Sequence, residues 1–375
     1  MDEKPKILIA SVLKPVHDIR AFYKIGCSLA QTNKYDVNII GFDSKKVSAH
    51  KNITTYPIYN FKRLSWKRLL APFKLLKILI KVKPEIIIAN TPEILKVIYV
   101  YKILFGAKLI YDIQENYTLN LRHGSDFPTF IKPLLLLNLY LTERISKYFV
   151  DWYFLAESIY KSQLKFLRNQ QFIILENKVL RPATHKNRKS VLITKYSPIR
   201  FIITGTLGAS YGTLEGIAFY LSLKKLRPDS TLKIIGFAPN SNYLRKISDY
   251  ARSHESIEVI SQDKPIEHAR IIAAIKESDV ALLPYNINDN LKDRIPTKLY
   301  EYMAYQLPMI IPNNAKWLNL IAPYPAGIAV DFTTQNVEPV LRNLEKTSFY
   351  NSIPDISIYW DVEEKKLLNT IISLT

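Results

Sequence analysis

Short apolar runs alternate with longer amphipathic segments along most of the chain. Six runs in the first half have the length and composition of buried strands: Lys6–Ala10, Val37–Gly41, Glu85–Ala89, Lys108–Asp112, Trp152–Leu155 and Phe172–Leu175. Patterns with a helical period lie between them, near residues 20–31, 72–82, 93–104, 131–149 and 157–167. Strands that are apolar on both faces and separated by helices are typical of parallel sheets, so this half predicts an α/β domain.

The segment 179–198 interrupts the pattern, and we interpret it as a linker because it contains Pro182 and Pro198 and little apolar periodicity. The alternation then restarts, with predicted strands at Arg200–Thr204, Thr231–Ile235, Ile257–Ile260, Val280–Leu283, Pro308–Ile311 and Gly327–Val330. Predicted helices lie near 213–224, 240–251, 265–277, 297–304 and 334–346. The sequence therefore predicts two doubly wound, Rossmann-like domains, 1–178 and 199–355, facing a central cleft. We expect a last helix, within 356–375, to pack back on the first domain.

Composition excludes several classes of protein. With 48% hydrophobic and 23% charged residues, the chain is neither disordered nor fibrous. The single cysteine, Cys27, excludes an internal disulfide and a cysteine-rich zinc site, which favours a reducing compartment. No signal peptide is evident, and the longest apolar segment, Pro133–Leu141, is too short to span a bilayer. We therefore expect a cytoplasmic protein whose membrane contact is peripheral, on the inner face of the cell membrane.

Positive charge is concentrated in the first half. The net charge of the chain is +19, with 28 Lys and Arg against 14 Asp and Glu in residues 1–180 and 24 against 19 in the rest. A general lysine bias, 37 Lys against 15 Arg, explains part of this excess but not its uneven distribution. The imbalance predicts a polyanionic partner: nucleic acid, an anionic membrane or a phosphorylated substrate.

The most basic stretch, Phe61–Lys83, contains eight cations and no acid. On a helix after Pro72, one face carries Phe73, Leu76 and Ile80, and lysines occupy the adjoining face. We predict that this stretch contacts an anionic membrane through Arg63, Trp66, Lys67, Lys74, Lys77 and Lys81. The alternative is a helix packed on the first sheet with its lysines in water. Nucleic acid is disfavoured, since the stretch lacks interleaved stacking aromatics and no nucleic-acid motif is present.

Two segments of the second half suggest a phosphate site. A glycine-containing loop, Gly205–Gly212, separates a predicted strand from a predicted helix, which allows close backbone approach to a phosphate; a glycine turn with no ligand is the alternative. The three-glycine dinucleotide fingerprint is absent, which counts against a dehydrogenase. The segment Asp293–Glu301 follows another strand, and Pro296 suits the first turn of a helix.

On such a helix, Arg294 and Lys298 would lie near the N-terminus, where they can neutralise a diphosphate leaving group. Glu301 lies one turn further and can accept two hydrogen bonds from a ribose diol. The alternative for this segment is a capped surface helix with scattered charges.

The segment resembles the donor-sugar site of GT-B glycosyltransferases, in particular glycosyltransferase family 4. In that family two acidic residues eight positions apart flank a nucleotide-sugar site, and Asp293 and Glu301 have this spacing. Other matching stretches in the second half are 199–212, 232–236, 279–285 and 302–310, and weaker ones in the first half are 14–20, 111–116 and 176–177. The resemblance implies a GT-B architecture and a retaining transfer from a nucleoside-diphosphate sugar bound to the C-terminal domain.

The resemblance also implies roles for individual residues. The catalytic group would be Asp293, Arg294 and Lys298, and the donor-binding group Gly205, Thr206, Gly208, Tyr285, Pro296, Thr297 and Glu301. On the acceptor side we expect His17, Asp18, Arg20, Gln114 and Glu115. His17 and Asp18 lie in the loop after the first predicted strand, and the alternative for both is a structural role in that loop. Two positions depart from the family: Tyr211 stands where a basic residue is usual, and Gln114 where a histidine is common.

These observations predict a hexosyltransferase-type glycosyltransferase that extends a cell-surface polysaccharide on a lipid-linked acceptor at an anionic membrane. The nucleotide sugar is its co-substrate, and we expect no other cofactor. We also expect no essential metal, because the six histidines are scattered and the carboxylates are not clustered. Two alternatives remain: a nucleotide-sugar epimerase of related fold, and a catalytically inactive homologue that binds a glycan or nucleotide.

Overall fold

The computed structural model describes residues 3–44, 50–61, 65–123, 127–183, 190–262, 266–288 and 291–375. The chain forms two compact units. The first consists of Met1–Leu180 together with Trp360–Thr375, and the second of Arg181–Tyr359. Among the described residues, no helix combines the length and the apolar character needed to cross a membrane.

A seven-stranded parallel sheet forms the centre of the first unit. Its strands are β1 (Lys6–Pro15), β2 (Asp36–Phe42), β3 (Ile53–Tyr59), β4 (Ile86–Ala89), β5 (Lys108–Ile113), β6 (Trp152–Leu155) and β7 (Phe172–Ile174), in the order β3-β2-β1-β4-β5-β6-β7. The helices are a π-helix (Ile19–Gly26) continued by α1 (Cys27–Gln31), then α2 (Ala71–Val82), α3 (Leu95–Phe105), α4 (Tyr117–His123), α5 (Lys132–Ser146) and α6 (Tyr160–Gln163). Short 3₁₀ turns occupy Trp66–Leu70, Pro92–Ile94 and Lys165–Leu167.

The second unit contains a six-stranded parallel sheet. Its strands are β8 (Arg200–Thr206), β9 (Thr231–Phe237), β10 (Ile257–Gln262), β11 (Val280–Leu282), β12 (Met309–Pro312) and β13 (Gly327–Val330), in the order β10-β9-β8-β11-β12-β13. Its helices are α7 (Thr213–Leu226), α8 (Ser241–Ser253), α9 (His268–Lys276), α10 (Thr297–Ala304), α11 (Ala315–Ile321) and α12 (Glu338–Lys346), with 3₁₀ turns at Ala209–Tyr211 and Ile356–Ile358. The two parallel sheets confirm the predicted α/β fold class.

The last helix, α13 (Trp360–Ile372), belongs to the first unit. Trp360, Leu367 and Ile371 pack in the core that covers one face of the first sheet. The Trp360 indole Nε1 donates to Ser28 Oγ over 3.0 Å, and the Lys178 ammonium lies 2.7 Å from a carboxylate oxygen of Glu363. The C-terminal segment is thus built into the first unit.

The strands that the apolar pattern misses lie where burial is incomplete. Edge strand β3 alternates between partly buried and exposed positions and contains Pro57, so it shows no continuous apolar run. Strand β1 continues past Ala10 to Pro15, with a register irregularity against β2. In both cases, pairing with a neighbouring strand extends the sheet where the local pattern is weak.

Glu143 supplies a pH-dependent contribution to stability. Its side chain faces the core from α5 and is 5% exposed. Burial raises the pKa of this carboxyl from 4.5 to about 8, and the neighbouring Tyr111 opposes the shift only in part. Because the folded chain holds a proton that the unfolded chain releases, this contribution is fully present at acidic pH and is lost as the pH rises from about 4.5 to about 8.

We therefore predict that Glu143→Gln stabilises the protein at pH 8 and has little effect near pH 5, since each pKa unit corresponds to about 1.4 kcal/mol. Urea unfolding of both proteins across this range measures the difference. Glu338→Gln, at an exposed glutamate, is the control. Parallel pH curves for the wild type and Glu143→Gln would contradict the assignment.

Candidate functional site

The strand order of each sheet reverses at one point, between β1 and β4 in the first unit and between β8 and β11 in the second. In open α/β sheets, ligands bind beyond the carboxyl ends of the strands at this switch point. In the second unit the end of β8 and the loop after it form Gly205–Gly212, and the segment after β11 contains Pro284 and Tyr285. The chain segments singled out in this half of the sequence thus meet at the switch point.

Glycines allow these segments to approach closely. Gly212 has φ +61°, and a Cβ there would lie 1.6 Å from the carbonyl oxygen of Pro284. Gly205 has φ +98°, and a Cβ there would lie 2.0 Å from the Lys298 Nζ atom. Both positions therefore require glycine, and the Lys298 ammonium lies directly beside the loop after β8.

The Lys298 ammonium is held in its charged form. Burial by itself would lower its pKa, but the neighbouring Tyr285 hydroxyl and the Glu301 carboxylate more than offset this, and the pKa lies above its usual value. Burial raises the pKa of Tyr285, and Lys298 opposes that shift. The ammonium of Lys298 and the hydroxyl of Tyr285 therefore lie side by side.

Aromatic rings surround this charge. Tyr285 makes edge-to-face contacts with Tyr211, at 5.2 Å between ring centroids, and with Trp317, at 5.6 Å. The Trp317 Nε1 atom donates to the backbone carbonyl of Arg294 over 2.6 Å. Tyr211, the residue that departs from the family pattern, is thus part of the wall around Lys298.

Glu301 is held by a histidine that sequence reasoning missed. His268 Nε2 lies 2.9 Å from Glu301 Oε1, and the glutamate side chain is 13% exposed. His268 begins α9, and Glu301 lies in the middle of α10. No spacing rule connects the two residues, because α9 and α10 meet only in the folded unit.

Helix α11, which the sequence pattern did not predict, supports the segment before α10. Asn314 caps α11 by accepting from the Trp317 amide, and its Nδ2 donates to the Lys292 carbonyl over 2.9 Å. The Lys316 ammonium donates to the carbonyl of Asp293 over 2.5 Å. These contacts hold the main chain of Asp293 and Arg294 and leave the roles of their side chains as predictions.

The remaining donor-side residues line the same loops. Gly208 donates its amide to Thr213 Oγ1 over 3.2 Å, and Pro296 and Thr297 begin α10. The Asn286 amide donates to the Ala209 carbonyl over 2.7 Å and so ties the two loops together. The structure thus places Gly205, Tyr285, Lys298 and Glu301 in one group, whereas Thr206 is partly buried at the end of β8.

In the first unit, Arg20 is a buried residue of the fold. Its guanidinium, 2% exposed, donates to both carboxylate oxygens of Asp112 over 2.6–3.1 Å and to the Leu175 carbonyl over 2.9 Å. Gln114 donates to the same carboxylate over 2.8 Å. All three groups therefore belong to one network that joins β5 to the π-helix and to the end of β7.

The other acceptor-side residues have separate neighbours. Asp18 caps the π-helix by accepting from the amides of Arg20 and Ala21, both at 3.0 Å. Glu115 accepts from Asn120 Nδ2 over 2.6 Å. His17 is 9% exposed and packs against Phe22, and burial lowers the pKa of its imidazole. In the part of the chain that the structure describes, neither nitrogen of this ring has a hydrogen-bond partner.

No metal-binding group is found in the described ranges: nowhere in them do three His, Cys, Asp or Glu side chains lie together so that they could hold a metal ion. Among the described residues of the site, Lys298 is the cation shown beside the glycine loop.

Gly212 and Gly106 provide a matched pair of substitutions. Both have positive φ, but a Cβ at Gly106 would meet nothing within 4 Å, whereas one at Gly212 would collide with backbone. We predict that Gly106→Ala costs about 1 kcal/mol of unfolding free energy from the backbone conformation alone. Gly212→Ala should cost about 1–3 kcal/mol more, because the loops must separate. Equal losses in urea unfolding would show that the two loops are not in tight contact.

No family model and no curated protein matches the sequence, but solved structures match the fold. Sucrose-phosphate synthase from Thermosynechococcus elongatus is 12% identical, with 99% of each chain covered and a TM-score of 0.72. HepE of Anabaena, solved with UDP and glucose, is 12% identical, with 98% of this chain and 100% of that chain covered and a TM-score of 0.66. The lipopolysaccharide outer core galactosyltransferase WaaB is 16% identical, with coverages of 99% and 100% and a TM-score of 0.61. The chain therefore has the GT-B fold.

Proposed function

We propose that the protein is a glycosyltransferase that moves a hexose from a nucleoside-diphosphate sugar to a glycan acceptor. The observation that carries this proposal is the group at the second switch point, where the charged Lys298 lies against Gly205 and beside Tyr285 and Glu301. A cation beside an open glycine loop suits a diphosphate, and a carboxylate three residues further along α10 suits a ribose diol.

Structures with the same fold support this interpretation. HepE of Anabaena was solved with UDP-glucose, and starch synthase IV from Arabidopsis thaliana with ADP and acarbose. We propose that the second unit of this chain binds a donor of the same chemical class.

The chemistry we propose is charge neutralisation. As the bond between the sugar and the diphosphate breaks, negative charge grows on the phosphate oxygens, and Lys298 and Arg294 are the cations that stabilise it. The Gly205–Gly208 loop lies against the phosphates, the hydroxyl of Thr206 adds a hydrogen bond, and Thr297 stands at the N-terminus of α10. Because these cations supply the positive charge, we propose a reaction without an essential metal.

The proposal places two carboxylates in different roles. Glu301, oriented by His268, accepts from the ribose hydroxyls, and Asp293 lies near the donor sugar. We propose retention of configuration and membership of glycosyltransferase family 4, on the basis of the Asp293–Glu301 spacing. Tyr211 then takes the place of the usual basic residue, with a phenolic hydroxyl that can donate to a phosphate oxygen.

For the acceptor we propose the first unit, where the positive charge is concentrated. Burial keeps His17 neutral, so its ring can accept from or donate to a sugar hydroxyl, with Gln114 and Glu115 after strand β5, two strands away from β1. A lipid-linked glycan at the cytoplasmic face of an anionic membrane suits this charge, and it would make the protein a peripheral enzyme of cell-surface polysaccharide synthesis.

A panel of nucleotide sugars tests the proposal. We predict that one of them stabilises the protein in a thermal melt and releases nucleoside diphosphate when a membrane lipid extract is added. Glu301→Ala should weaken donor binding by about tenfold or more, because hydrogen bonds to a charged group contribute roughly 1.5–3 kcal/mol. Glu338→Ala, at an exposed glutamate of the same unit, is the control.

Three results would contradict parts of this account. If no nucleotide sugar binds, the transferase proposal is wrong. If a donor binds but never turns over with any acceptor extract, the chain is an inactive homologue. Donor binding that is unchanged in Glu301→Ala would refute the ribose assignment.

A further inference from the structure

Exposed apolar side chains are concentrated in one part of the first unit. Of the 24 large apolar side chains that are exposed in the described residues, 16 lie between Trp66 and Tyr148. Phe130 is 82% exposed, Leu69 76% and Trp66 70%. A concentration of exposed apolar side chains in one part of a protein's surface indicates an interaction site.

Fourteen of these side chains lie on three neighbouring helices that cover one face of the first sheet, or on the turn before α2; Phe130 and Tyr148 lie just outside α5. Helices α2 and α3 contribute Leu75, Leu79 and Ile98 to the same core cluster. Helix α5 lies beside α3, since Tyr99 Oη donates to the Thr142 carbonyl over 3.3 Å and Lys96 Nζ donates to Asn138 Oδ1 over 2.5 Å.

The exposed residues occupy the outer sides of these helices, away from the sheet. We call them the outer face: Trp66, Leu69, Leu70, Phe73 and Ile80 on α2 and the turn before it; Val100, Ile103, Leu104 and Phe105 on α3; Leu134, Leu137, Tyr140, Leu141 and Ile145 on α5.

The outer face is not needed to hold the helices on the sheet. Helix α2 already buries Leu75, Leu79 and Val82 in the core, yet Phe73 is 65% and Ile80 53% exposed. A helix that only covers a sheet is apolar on one side and polar on the other. Apolar residues on both sides of α2 therefore indicate a second partner.

The charges on these elements are of one sign. Across Trp66–Val82, Leu95–Phe105 and Lys132–Ser146, the only acidic residue is Glu143, which is buried. Of the residues expected at a membrane, Lys67, Lys74, Lys77 and Lys81 are all exposed, and Arg63 lies outside the described residues. A second copy of this face would bring like charges together, whereas an anionic bilayer complements both the cations and the apolar side chains.

We propose that the outer face is a membrane-docking surface that inserts its apolar side chains between the headgroups of an anionic bilayer while its lysines contact lipid phosphates. This deepens the membrane association proposed above, but it does not depend on sugar transfer. Binding then has two parts: an apolar part that resists salt and an electrostatic part that salt weakens.

Vesicle flotation of the full chain separates the two parts. The probes are vesicles of phosphatidylcholine alone and of phosphatidylcholine mixed with phosphatidylglycerol. We expect binding to the anionic vesicles that is weakened but not abolished by salt. Replacing Ile103 and Leu134 together by Asp should reduce it by more than about a hundredfold. Replacing Lys74, Lys77 and Lys81 together by Gln should reduce it by roughly a hundredfold and remove most of its salt dependence.

The controls are Leu192→Asp and Ile353→Asp, which place the same charge on exposed apolar residues of the second unit. They should bind vesicles like the wild type. All of these positions are exposed, so melting temperatures should change little. Among the tryptophans in the described residues, only Trp66 is exposed. The tryptophan fluorescence of the protein should therefore shift to the blue when anionic vesicles are added. The shift should be absent in Trp66→Phe.

Three outcomes would overturn the proposal. The first is a wild-type protein that does not bind anionic vesicles. The second is vesicle binding that is unchanged when Ile103 and Leu134 are both replaced by Asp. The third is a wild-type dimer, broken by those substitutions, with no vesicle binding, because a second copy would then be the partner. Donor binding measured on the same variants should be unchanged. A protein that binds vesicles but no nucleotide sugar would refute the transferase proposal alone.

Discussion

The site in the second unit depends on close contact between the loop after β8 and the segments after β11. A side chain at Gly212 would collide with the Pro284 carbonyl, and one at Gly205 would occupy the position of the Lys298 ammonium. Glycine at these positions lets the loop backbone and the cation lie close together. Tyr285 packs beside them against the rings of Tyr211 and Trp317.

The first unit is organised in a different way. In this unit the buried ion pair of Arg20 and Asp112 joins the π-helix to strand β5. The positive charge of Arg20 is therefore already neutralised. His17, with a lowered pKa, and Gln114, already bonded to Asp112, add no charge there. Exposed lysines lie instead on its outer helices, among them Lys74, Lys77 and Lys81. We therefore infer that the two units meet different partners, a diphosphate in one case and uncharged hydroxyls and a lipid surface in the other.

The sequence predicts the two sheets because their central strands are apolar on both faces, and it predicts α10 because Pro296 precedes a helical pattern. It does not predict strand β3 or helix α11, whose apolar patterns are short. The sequence also does not predict the long-range side-chain pairs. No sequence pattern links Arg20 to Asp112 or His268 to Glu301. The pattern on α2 also could not show which apolar face packs inward, since both faces carry apolar residues.

The central claim is that the second switch point binds the nucleoside diphosphate of a sugar donor. A crystal structure of the protein with the nucleotide sugar that raises its melting temperature tests this most directly. The account predicts the diphosphate within hydrogen-bond distance of Lys298 Nζ and in contact with the Gly205–Gly208 loop, with the ribose hydroxyls on Glu301. A nucleotide bound elsewhere, with Lys298 and Glu301 out of reach, would contradict it.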